Sequence, residues 1–282
     1  MQEWTIRTVL SWARLYFEKK GIDTPRLDAE VLLAHALDCT RIDLYLDMDR
    51  PLVQEELSRF RALIRRRSER EPVAYITGEK EFFGKKFAVS RHVLIPRPES
   101  EILVEQAIDL VPMSSEILEI GAGSGAVIIS ILDERPDIKA VACDISIPAL
   151  SLSAHNARVH NVTGRLRLFA GDLFGALSHK FSTIVANPPY IALVEKDILT
   201  PEVLRFEPKE ALFAGKTGMD IILKIIHKSP DYILQGGYLI MEFGYSQKDN
   251  IEKAITGVGS LLINKWVKDL SGKERVVVAQ RM

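Results

Sequence analysis

The sequence predicts an α/β fold, with an open, mostly parallel, doubly wound sheet of seven strands that follows a small helical domain. Beyond Ser100, short apolar runs typical of strands alternate with helical segments, which is the order of βαβ units. Residues 1–70 show helical periodicity and no strand pattern. A glycine cluster follows the first strand of the alternating region and opens a helix, as at the ligand crevice of a doubly wound sheet.

The amino-terminal region is predicted to form a bundle of three helices over residues 1–72. Apolar residues recur near the 3.6-residue period in the first helix, which Gly21 is expected to end. A second helix is expected to begin at Pro25 with Thr24 as its N-cap, and a third to cover residues 51–69.

The third of these helices carries a dense basic run formed by Arg65, Arg66, Arg67 and Arg70. Charge runs of this kind usually form a solvated helix face. The same run is also compatible with a contact to a phosphate-rich or acidic partner. Both interpretations stay open at the level of sequence.

Residues 73–95 change to short β-like pieces around Gly78 and Gly84, which predicts a hairpin that links two domains. Two prolines then make residues 95–99 a rigid loop, because they fix φ and disfavour helix just before them. The second domain is expected over residues 96–282. Its predicted helices are 99–110, 124–134, 146–159, 220–230 and 246–256, and its predicted strands are 116–120, 139–143, 165–169, 182–186, 237–242, 263–267 and 275–279. The last pair of strands is expected to bring in an antiparallel strand.

Composition excludes several classes of protein. With 37 Lys and Arg against 38 Asp and Glu, the net charge is −1, so no bulk positive field favours a stable nucleic-acid partner. Cys39 and Cys143 are too few and too far apart for a disulfide framework or a cysteine zinc site, and the six histidines lack metal-ligand spacing, so no metal is expected. No signal sequence or long apolar run is present, which predicts a cytoplasmic protein that does not enter membranes. A monomer is the expected state.

The glycine cluster is Gly121-Ala122-Gly123-Ser124-Gly125. Glycines permit a sharp turn and close approach of a ligand to the backbone. The pattern is GxGxG instead of the GxGxxG of a pyrophosphate site, and no Walker lysine follows it. The loop is therefore predicted to bind a nucleoside-containing cofactor other than a dinucleotide.

Two acidic residues follow the next two strands of the predicted sheet. Asp144 closes the second strand, where a carboxylate accepts hydrogen bonds from both hydroxyls of a ribose. Asp172 follows the third strand and is placed to bond an adenine amino group, with Leu173 against the ring. Together with the glycine loop, these residues resemble the S-adenosylmethionine pocket of class I methyltransferases, whose product is S-adenosylhomocysteine.

The fourth strand runs into Asn187-Pro188-Pro189-Tyr190, again at a carboxyl end of the sheet. The Asn187 side-chain oxygen and the Pro188 carbonyl can both accept hydrogen bonds, which suits a planar NH2 group. Such a frame aligns the nitrogen for attack on a methyl donor and stabilises the positive charge that grows on it. Tyr190 is expected to pack on the flat substrate group. The motif resembles that of methyltransferases that act on adenine, cytosine or glutamine amide nitrogen.

Over essentially its full length the chain resembles the release-factor glutamine methyltransferase (PrmC/HemK) family. The resemblance is carried by Phe82-Phe83-Gly84, Ile95-Pro96-Arg97-Pro98-Glu99, the glycine loop, Asp144, Gly171-Asp172-Leu173-Phe174, the Asn-Pro-Pro-Tyr motif, Phe206-Glu207-Pro208, Glu242 and residues 269–276. The segments 95–99 and 206–208 are more selective than Asn-Pro-Pro-Tyr, which enzymes acting on DNA share. Departures are mild, such as Ser100 and Ala122 where threonine is common.

The resemblance implies a class I S-adenosylmethionine-dependent methyltransferase with a Rossmann-like seven-stranded sheet. It also implies that the substrate is the side-chain amide nitrogen (N5) of the glutamine in the Gly-Gly-Gln motif of class I peptide chain release factors, which the helical domain would grip. Asn187 is then expected to contact both cofactor and substrate. Residues 96–99 are expected to wall the mouth of the site, and Glu207 and Glu242 to order neighbouring segments.

Three other functions are weighed against this one. An adenine-N6 methyltransferase of DNA or RNA is disfavoured by the near-zero net charge, with the arginine run as its only support. A non-catalytic S-adenosylmethionine-binding interaction module is disfavoured by the intact Asn187 and its prolines. A nicotinamide dehydrogenase is disfavoured by the GxGxG spacing and gives Asn-Pro-Pro-Tyr no role.

Overall fold

The computed structural model describes residues 4–175 and 177–282. Contacts between residues divide the chain into two compact units. The first unit contains the chain through Gly78 together with Thr200–Phe206, and the second contains Glu79–Leu199 and Glu207–Met282. The chain therefore leaves the second unit for one short segment and then returns to it.

The first unit is helical. The three predicted helices are confirmed as α1, α2 and α4, and their apolar faces form a core in which Phe17, Leu32 and Leu33 are fully buried. The helices of this unit are α1 Ile6–Lys19, α2 Pro25–Ala36, α3 Arg41–Leu46, α4 Gln54–Ser68, α5 Val73–Thr77 and, in the returning segment, α9 Pro201–Phe206.

Two short helices of the first unit differ from the sequence prediction. Helix α3 has six residues, too few for a periodic apolar stripe, and begins with a capping box between Thr40 and Asp43. The prediction of β-like structure is wrong for residues 73–77. These residues form the short helix α5, which ends at Gly78 in a left-handed conformation. Thr24 holds the predicted N-cap position of α2, but its hydroxyl donates to Asp28 Oδ1 (2.7 Å) and caps no backbone N–H.

A buried ion cluster joins α2, α4 and α9 within the first unit. Arg67 Nε donates to Asp28 Oδ2 (2.7 Å), and Arg67 Nη1 donates to Glu202 Oε1 (2.9 Å). The same Glu202 oxygen accepts a hydrogen bond from Arg70 Nη1 (3.1 Å). Arg67 is only 5% exposed, so of the two open interpretations the solvated helix face does not hold for this residue, whereas it does hold for the exposed Arg65. Helix spacing separates the two residues onto different faces of α4.

The second unit contains a hairpin and the seven-stranded sheet. Its hairpin strands are β1 Glu79–Phe82 and β2 Lys85–Ala88; its sheet strands are β3 Glu116–Ile120, β4 Lys139–Asp144, β5 Leu166–Ala170, β6 Phe181–Ala186, β7 Ile233–Glu242, β8 Leu261–Lys268 and β9 Glu274–Arg281. Its α-helices are α6 Glu101–Leu110, α7 Ala126–Glu134, α8 Ile147–Val159, α10 Asp220–Tyr232 and α11 Lys248–Val258. Short 3₁₀ helices cover Pro98–Ser100, Leu193–Ile198, Lys209–Ala211 and Tyr245–Gln247.

The sheet has the order β5-β4-β3-β6-β7-β9-β8. Strands β3, β4, β5, β6 and β7 all run parallel to one another, and β9 is antiparallel to both β7 and β8. The predicted doubly wound sheet with an antiparallel strand in its last pair is therefore confirmed. Helices α6, α7 and α8 cover one face, and α10 and α11 cover the other, which is why β6 is buried along its whole length.

The strand order changes direction at β3, because the chain passes from β3 outward to β4 and β5 and then returns to β6 on the other side. Ligands of open α/β sheets bind outside the carboxyl ends of the strands at such a switch point. In the register of the sheet, Ile120 of β3 lies between Cys143 of β4 and Ala186 of β6. The loops that follow these three strands must therefore meet at one edge.

Candidate active site at the carboxyl ends of the central strands

The structure brings the predicted site residues to this one edge of the sheet. The glycine loop follows β3, Asp144 ends β4, Asp172 and Leu173 follow β5, and residues 187–190 follow β6. A Cβ atom built on Gly121 would lie 4.0 Å from the backbone oxygen of Asn187, so the glycine loop and the Asn-Pro-Pro-Tyr segment are in direct proximity. Parallel register explains this meeting of residues that are far apart in sequence.

Most backbone N–H groups of the glycine loop already have partners inside the protein. Gly121 and Ala122 both donate to the Cys143 carbonyl (2.9 Å each), and Gly123 donates to Asp144 Oδ2 (2.8 Å). Gly125 donates to the Ala122 carbonyl (2.7 Å). A phosphate-binding loop instead points its N–H groups at the ligand. The geometry therefore agrees with the sequence argument against a pyrophosphate site.

Gly125 is required where α7 begins. Its φ is +79°, and an added Cβ would lie 2.5 Å from Ser153 Oγ and 2.8 Å from Ile129 Cδ1. Helix α7 thus starts in close contact with α8, with Ser124 buried beside it. Asn156 of α8 supports the same turn, because its Nδ2 donates to the Ser124 carbonyl (2.8 Å).

Asp144 is held rigidly at the end of β4. Its Oδ2 accepts the Gly123 N–H, and its Oδ1 accepts the N–H of Ser146 (2.8 Å each). A carboxylate oxygen has capacity for a second hydrogen bond, so both oxygens can still accept from a diol. The carboxylate is thereby oriented before any ligand arrives.

Asp172 and Leu173 form the third part of the edge. The Asp172 side chain is exposed, and Leu173 is half-buried with φ at +53°, a region that non-glycine residues rarely adopt. The Leu173 carbonyl accepts the buried thiol of Cys143 (3.2 Å), and burial raises the pKa of that thiol to about 12. This turn is therefore held in a strained conformation beside the glycine loop.

Glu119 is a buried acid directly before the glycine loop. It is 3% exposed, and its Oε2 accepts no hydrogen bond from the described residues. Burial, together with the charge of Asp144, raises its pKa well above the ordinary value. An unpaired buried acceptor is costly unless a ligand donor satisfies it. A Cβ built on Gly123 would meet nothing within 4 Å, so the loop also leaves open space. These features fit a cofactor that carries an amino group and an adenosine.

The Asn-Pro-Pro-Tyr segment is tied to two buried residues that the sequence argument did not place in the site. Asn187 Nδ2 donates to Ser100 Oγ (2.8 Å), and Ser100 Oγ donates to Glu242 Oε2 (2.6 Å). This uses the Asn187 nitrogen and leaves its Oδ1 without a donor among the described residues. The segment is half-buried, except for Pro188, which is buried. The site therefore presents the amide oxygen of Asn187 as a fixed acceptor.

Tyr190 is fixed through both its ring and its backbone. Its hydroxyl donates to Glu242 Oε1 (3.4 Å), and its carbonyl accepts Gln247 Nε2 (2.9 Å). Gln247 is buried and also bonds Gly218 and Gly244. Burial, followed by the nearby charge of Glu242, raises the pKa of Tyr190, so this hydroxyl stays protonated.

Glu242 and Glu207 are both buried acids of the second unit. Burial raises the pKa of Glu242 to about 7, although the hydrogen bond from Ser100 opposes this rise. Glu207 pairs with Arg97 and accepts the N–H of Ile95 (3.3 Å). Glu207 therefore connects the segment after the Asn-Pro-Pro-Tyr motif with residues 95–97, and the same loop continues to Ser100, which bonds Glu242.

Sequence reasoning missed Ser100, Asn156 and Gln247 as parts of this site. Each lies far along the chain from the residue that it supports; Ser100 is 87 residues from Asn187, and Gln247 is 57 residues from Tyr190. No local pattern indicates such contacts. Among the residues that the structure describes, no group of three or more His, Cys, Asp or Glu is arranged to hold a metal ion. The described helices are likewise all too short or too polar to cross a membrane.

Comparisons with known proteins agree with this architecture. Residues 8–78 match the family model described as PrmC N-terminal domain, and residues 98–215 match the methyltransferase small domain. The solved structure of SMU.776 in complex with SAH superposes with a TM-score of 0.53 at 11% identity, over 72% of this chain and 56% of its own. The sheet, its switch-point site and these matches define a class I S-adenosylmethionine-dependent methyltransferase fold.

The relatives narrow the class to one family. A release factor glutamine methyltransferase of Geobacter sulfurreducens is 41% identical over 88% of this chain and 87% of its own length. One of Rhodopirellula baltica is 38% identical over 99% of this chain and 97% of its own. The chain belongs to the release factor glutamine methyltransferase family, as the sequence resemblance predicted.

Proposed function

We propose that this protein transfers a methyl group from S-adenosylmethionine to the side-chain amide nitrogen of a glutamine in class I peptide chain release factors. The substrate glutamine is the one in the Gly-Gly-Gln motif. The observation that supports this proposal most directly is the orientation of Asn187. Its side-chain nitrogen donates to Ser100, and its side-chain oxygen remains to accept an N–H of the substrate. Membership of the family supports the same substrate.

The cofactor would be held by the residues at the edge of β3, β4 and β5. Asp144 would accept the ribose hydroxyls, since both of its oxygens are fixed and keep acceptor capacity. Asp172 and Leu173 would contact the adenine, and Glu119 would take the amino group of the methionine moiety through its unpaired Oε2. Residues 121–125 would let the cofactor approach the backbone closely. When bound, S-adenosylmethionine supplies an electrophilic methyl group on its sulfonium.

The chain's own part in the reaction is to hold an otherwise poor nucleophile. An amide nitrogen is planar, and its lone pair is delocalised into the carbonyl. Asn187 Oδ1 and the Pro188 carbonyl would each accept one N–H, which fixes the plane of the amide and stabilises the positive charge that develops on nitrogen. The Tyr190 ring would pack on the amide face, and Asn187 would also border the cofactor. No side chain needs to act as a strong base, because the methylated nitrogen loses its proton readily.

The proposal is tested by mass spectrometry of a full-length class I release factor after incubation with this protein and S-adenosylmethionine. One methyl group on the Gly-Gly-Gln glutamine is the expected result, and a release factor with alanine in place of that glutamine should stay unmodified. Parallel reactions with duplex DNA and RNA test the adenine alternative. Label in nucleic acid alone would overturn the proposal, and cofactor binding without transfer to any substrate would leave only an interaction module.

Asn187→Ala tests the role of the central residue, with Asn264→Ala on the exposed edge of β8 as the matched control. Asn187→Ala should lower transfer by at least about 100-fold, in line with the loss of one preorganised donor or acceptor in an active site. Calorimetry with S-adenosylmethionine shows whether the cofactor pocket is retained. Normal transfer by Asn187→Ala would refute its assigned role.

A further inference from the structure

Ser100 and Glu242 lie behind Asn187, on the side away from the atom that would meet the substrate. Ser100 ends the 3₁₀ helix Pro98–Ser100, and Glu242 ends β7; they are 3% and 2% exposed. Ser100 is hydrogen-bonded to Asn187, and Glu242 is hydrogen-bonded to Ser100 and Tyr190. Their route to the reaction therefore runs through Asn187 and Tyr190.

The hydrogen bonds between these residues have a direction. The Asn187 nitrogen can only donate, so Ser100 Oγ accepts from it at 2.8 Å. The single hydroxyl proton of Ser100 is then used on Glu242 Oε2 at 2.6 Å. Glu242 must accept at that oxygen, which an ionised carboxylate does at both of its oxygens.

The opposite arrangement would reverse the amide. A protonated Glu242 can donate to Ser100 Oγ, and Ser100 would then donate to the oxygen of Asn187. That turns the amide by half a rotation and points its NH2 group toward the substrate nitrogen, which also carries protons. Ionised Glu242 has no proton to donate and so permits only the first arrangement, whereas Glu242 protonated at Oε2 also permits the reversed one. Through the Ser100 hydroxyl, the ionised state of Glu242 therefore fixes which Asn187 atom faces the crevice.

Four groups from three elements face Glu242, since Ser100 and Glu99 share the 3₁₀ helix Pro98–Ser100. Tyr190 donates its hydroxyl to Oε1, Ser100 donates to Oε2, Arg275 of β9 favours the ionised form, and Glu99 opposes it. Burial also opposes ionisation, and the pKa of Glu242 is about 7. Both protonation states are therefore accessible near neutral pH, and the balance between them is set by these neighbours.

We propose that Ser100 and ionised Glu242 are positioning residues that hold the Asn187 amide with its oxygen toward the substrate nitrogen. The inference rests on the proposed function for the identity of the substrate. It rests on the described contacts for the direction of the amide.

Ser100→Ala, Ser100→Thr and Glu242→Gln separate this role from simple packing. Ser100→Ala removes the Ser100 hydroxyl and should lower kcat about 10- to 100-fold, with the cofactor Kd changed by less than about threefold. Ser100→Thr keeps a hydroxyl and should recover most of the lost kcat. The introduced amide of Glu242→Gln can accept from Ser100 and donate to Tyr190 at every pH, so this variant should lack the dependence of kcat on the ionisation of Glu242.

The experiment measures kcat and KM with a class I release factor from pH 5.5 to 9 for the full-length wild type and these variants. Wild-type kcat should rise as pH increases through about 7, and Glu242→Gln should lack this rise. Equal kcat for Ser100→Ala and wild type, or the same pH profile for Glu242→Gln and wild type, would overturn the positioning role.

A readout without turnover distinguishes failure of this inference from failure of the proposed function. In ¹⁵N NMR spectra, the Asn187 side-chain NH2 signals, assigned with Asn187→Ala, should shift as pH passes through about 7 in wild type and not in Glu242→Gln. If wild type methylates no release factor but the signals respond, the proposed function fails and the positioning stands. If transfer occurs but the signals are insensitive to pH and to Ser100→Ala, the positioning fails alone.

Discussion

The buried carboxyl group of Glu242 should make the second unit less stable at high pH than at low pH, and Glu242→Gln should remove this effect. Its pKa rises from 4.5 to about 7 on folding, so the folded protein binds this proton more tightly than the unfolded chain does. The contribution to the free energy of unfolding is therefore greatest below pH 4.5 and declines as pH rises through 7. At about 1.36 kcal/mol for each pH unit between the two values, the decline is about 3 kcal/mol.

Glutamine has nearly the same shape as glutamate and does not ionise. We therefore expect Glu242→Gln to be more stable than wild type at pH 8, by up to about 3 kcal/mol, with a difference that shrinks toward pH 5. Glu119 also has a raised pKa, but its contribution is present in both proteins and cancels in the difference.

Urea unfolding followed by tryptophan fluorescence measures the difference at pH 5, 6, 7 and 8. Trp266 packs against Phe243, the neighbour of Glu242, with ring centroids 5.4 Å apart, and it reports on this part of the sheet. Replacing Trp4 and Trp12 with phenylalanine in all samples leaves it as the single tryptophan. The exposed Glu252→Gln serves as the charge control. A stability difference between Glu242→Gln and wild type that stays constant from pH 5 to 8 would refute the reasoning.

Three further predictions concern other parts of the chain. The two oxygens of Asp144 accept from two backbone N–H groups and would also accept from the ribose diol, whereas Asp144→Asn has only one accepting oxygen. Calorimetry should therefore show cofactor affinity lower by about 10- to 100-fold, and unchanged affinity would contradict the role of Asp144. In Gly125→Ala the new Cβ would clash with Ser153 of α8, and the residue would keep a strained positive φ, so this variant should lose about 1–3 kcal/mol of stability in thermal unfolding. Gly257→Ala, where a Cβ has open space, should not be destabilised. Arg67→Ala removes the charge partner of the buried Asp28 and leaves Glu202 with Arg70 alone, so it should cost about 3–5 kcal/mol of stability, against less than about 0.5 kcal/mol for the exposed Arg65→Ala; similar losses for both would show that the ion cluster is not needed.

The parts of the site that depend on sheet topology could be predicted from the sequence. Once β3, β4, β5 and β6 are recognised, parallel pairing alone brings the residues after each strand to one edge, and the structure places them there. The helices of the first unit follow in the same way from apolar periodicity. Short helices escaped this reasoning, because α3 and α5 are too brief to display a period.

The parts that depend on side-chain contacts between distant segments could not be predicted. Arg67 belongs to a run of arginines that looks solvated in sequence, yet Asp28 and Glu202, which neutralise it, lie 39 and 135 residues away. Ser100 is similar, because only the folded chain shows that its hydroxyl stands between Asn187 and Glu242. Buried polar groups require partners, but the sequence does not indicate which residues supply them.

Three energetically unfavourable features of the second unit lie at the same edge of the sheet as the sequence motifs, so they locate the site independently of those motifs. Leu173 adopts a positive φ, Glu119 is buried with an unpaired oxygen, and Glu242 is buried with a pKa far above that of a free carboxyl. Each feature opposes folding, and packing alone would favour an apolar side chain or a glycine at these positions. Retaining all three around the loops that follow β3, β5 and β7 makes sense if a ligand amino group satisfies Glu119 and a substrate amide uses the orientation that Glu242 enforces on Asn187.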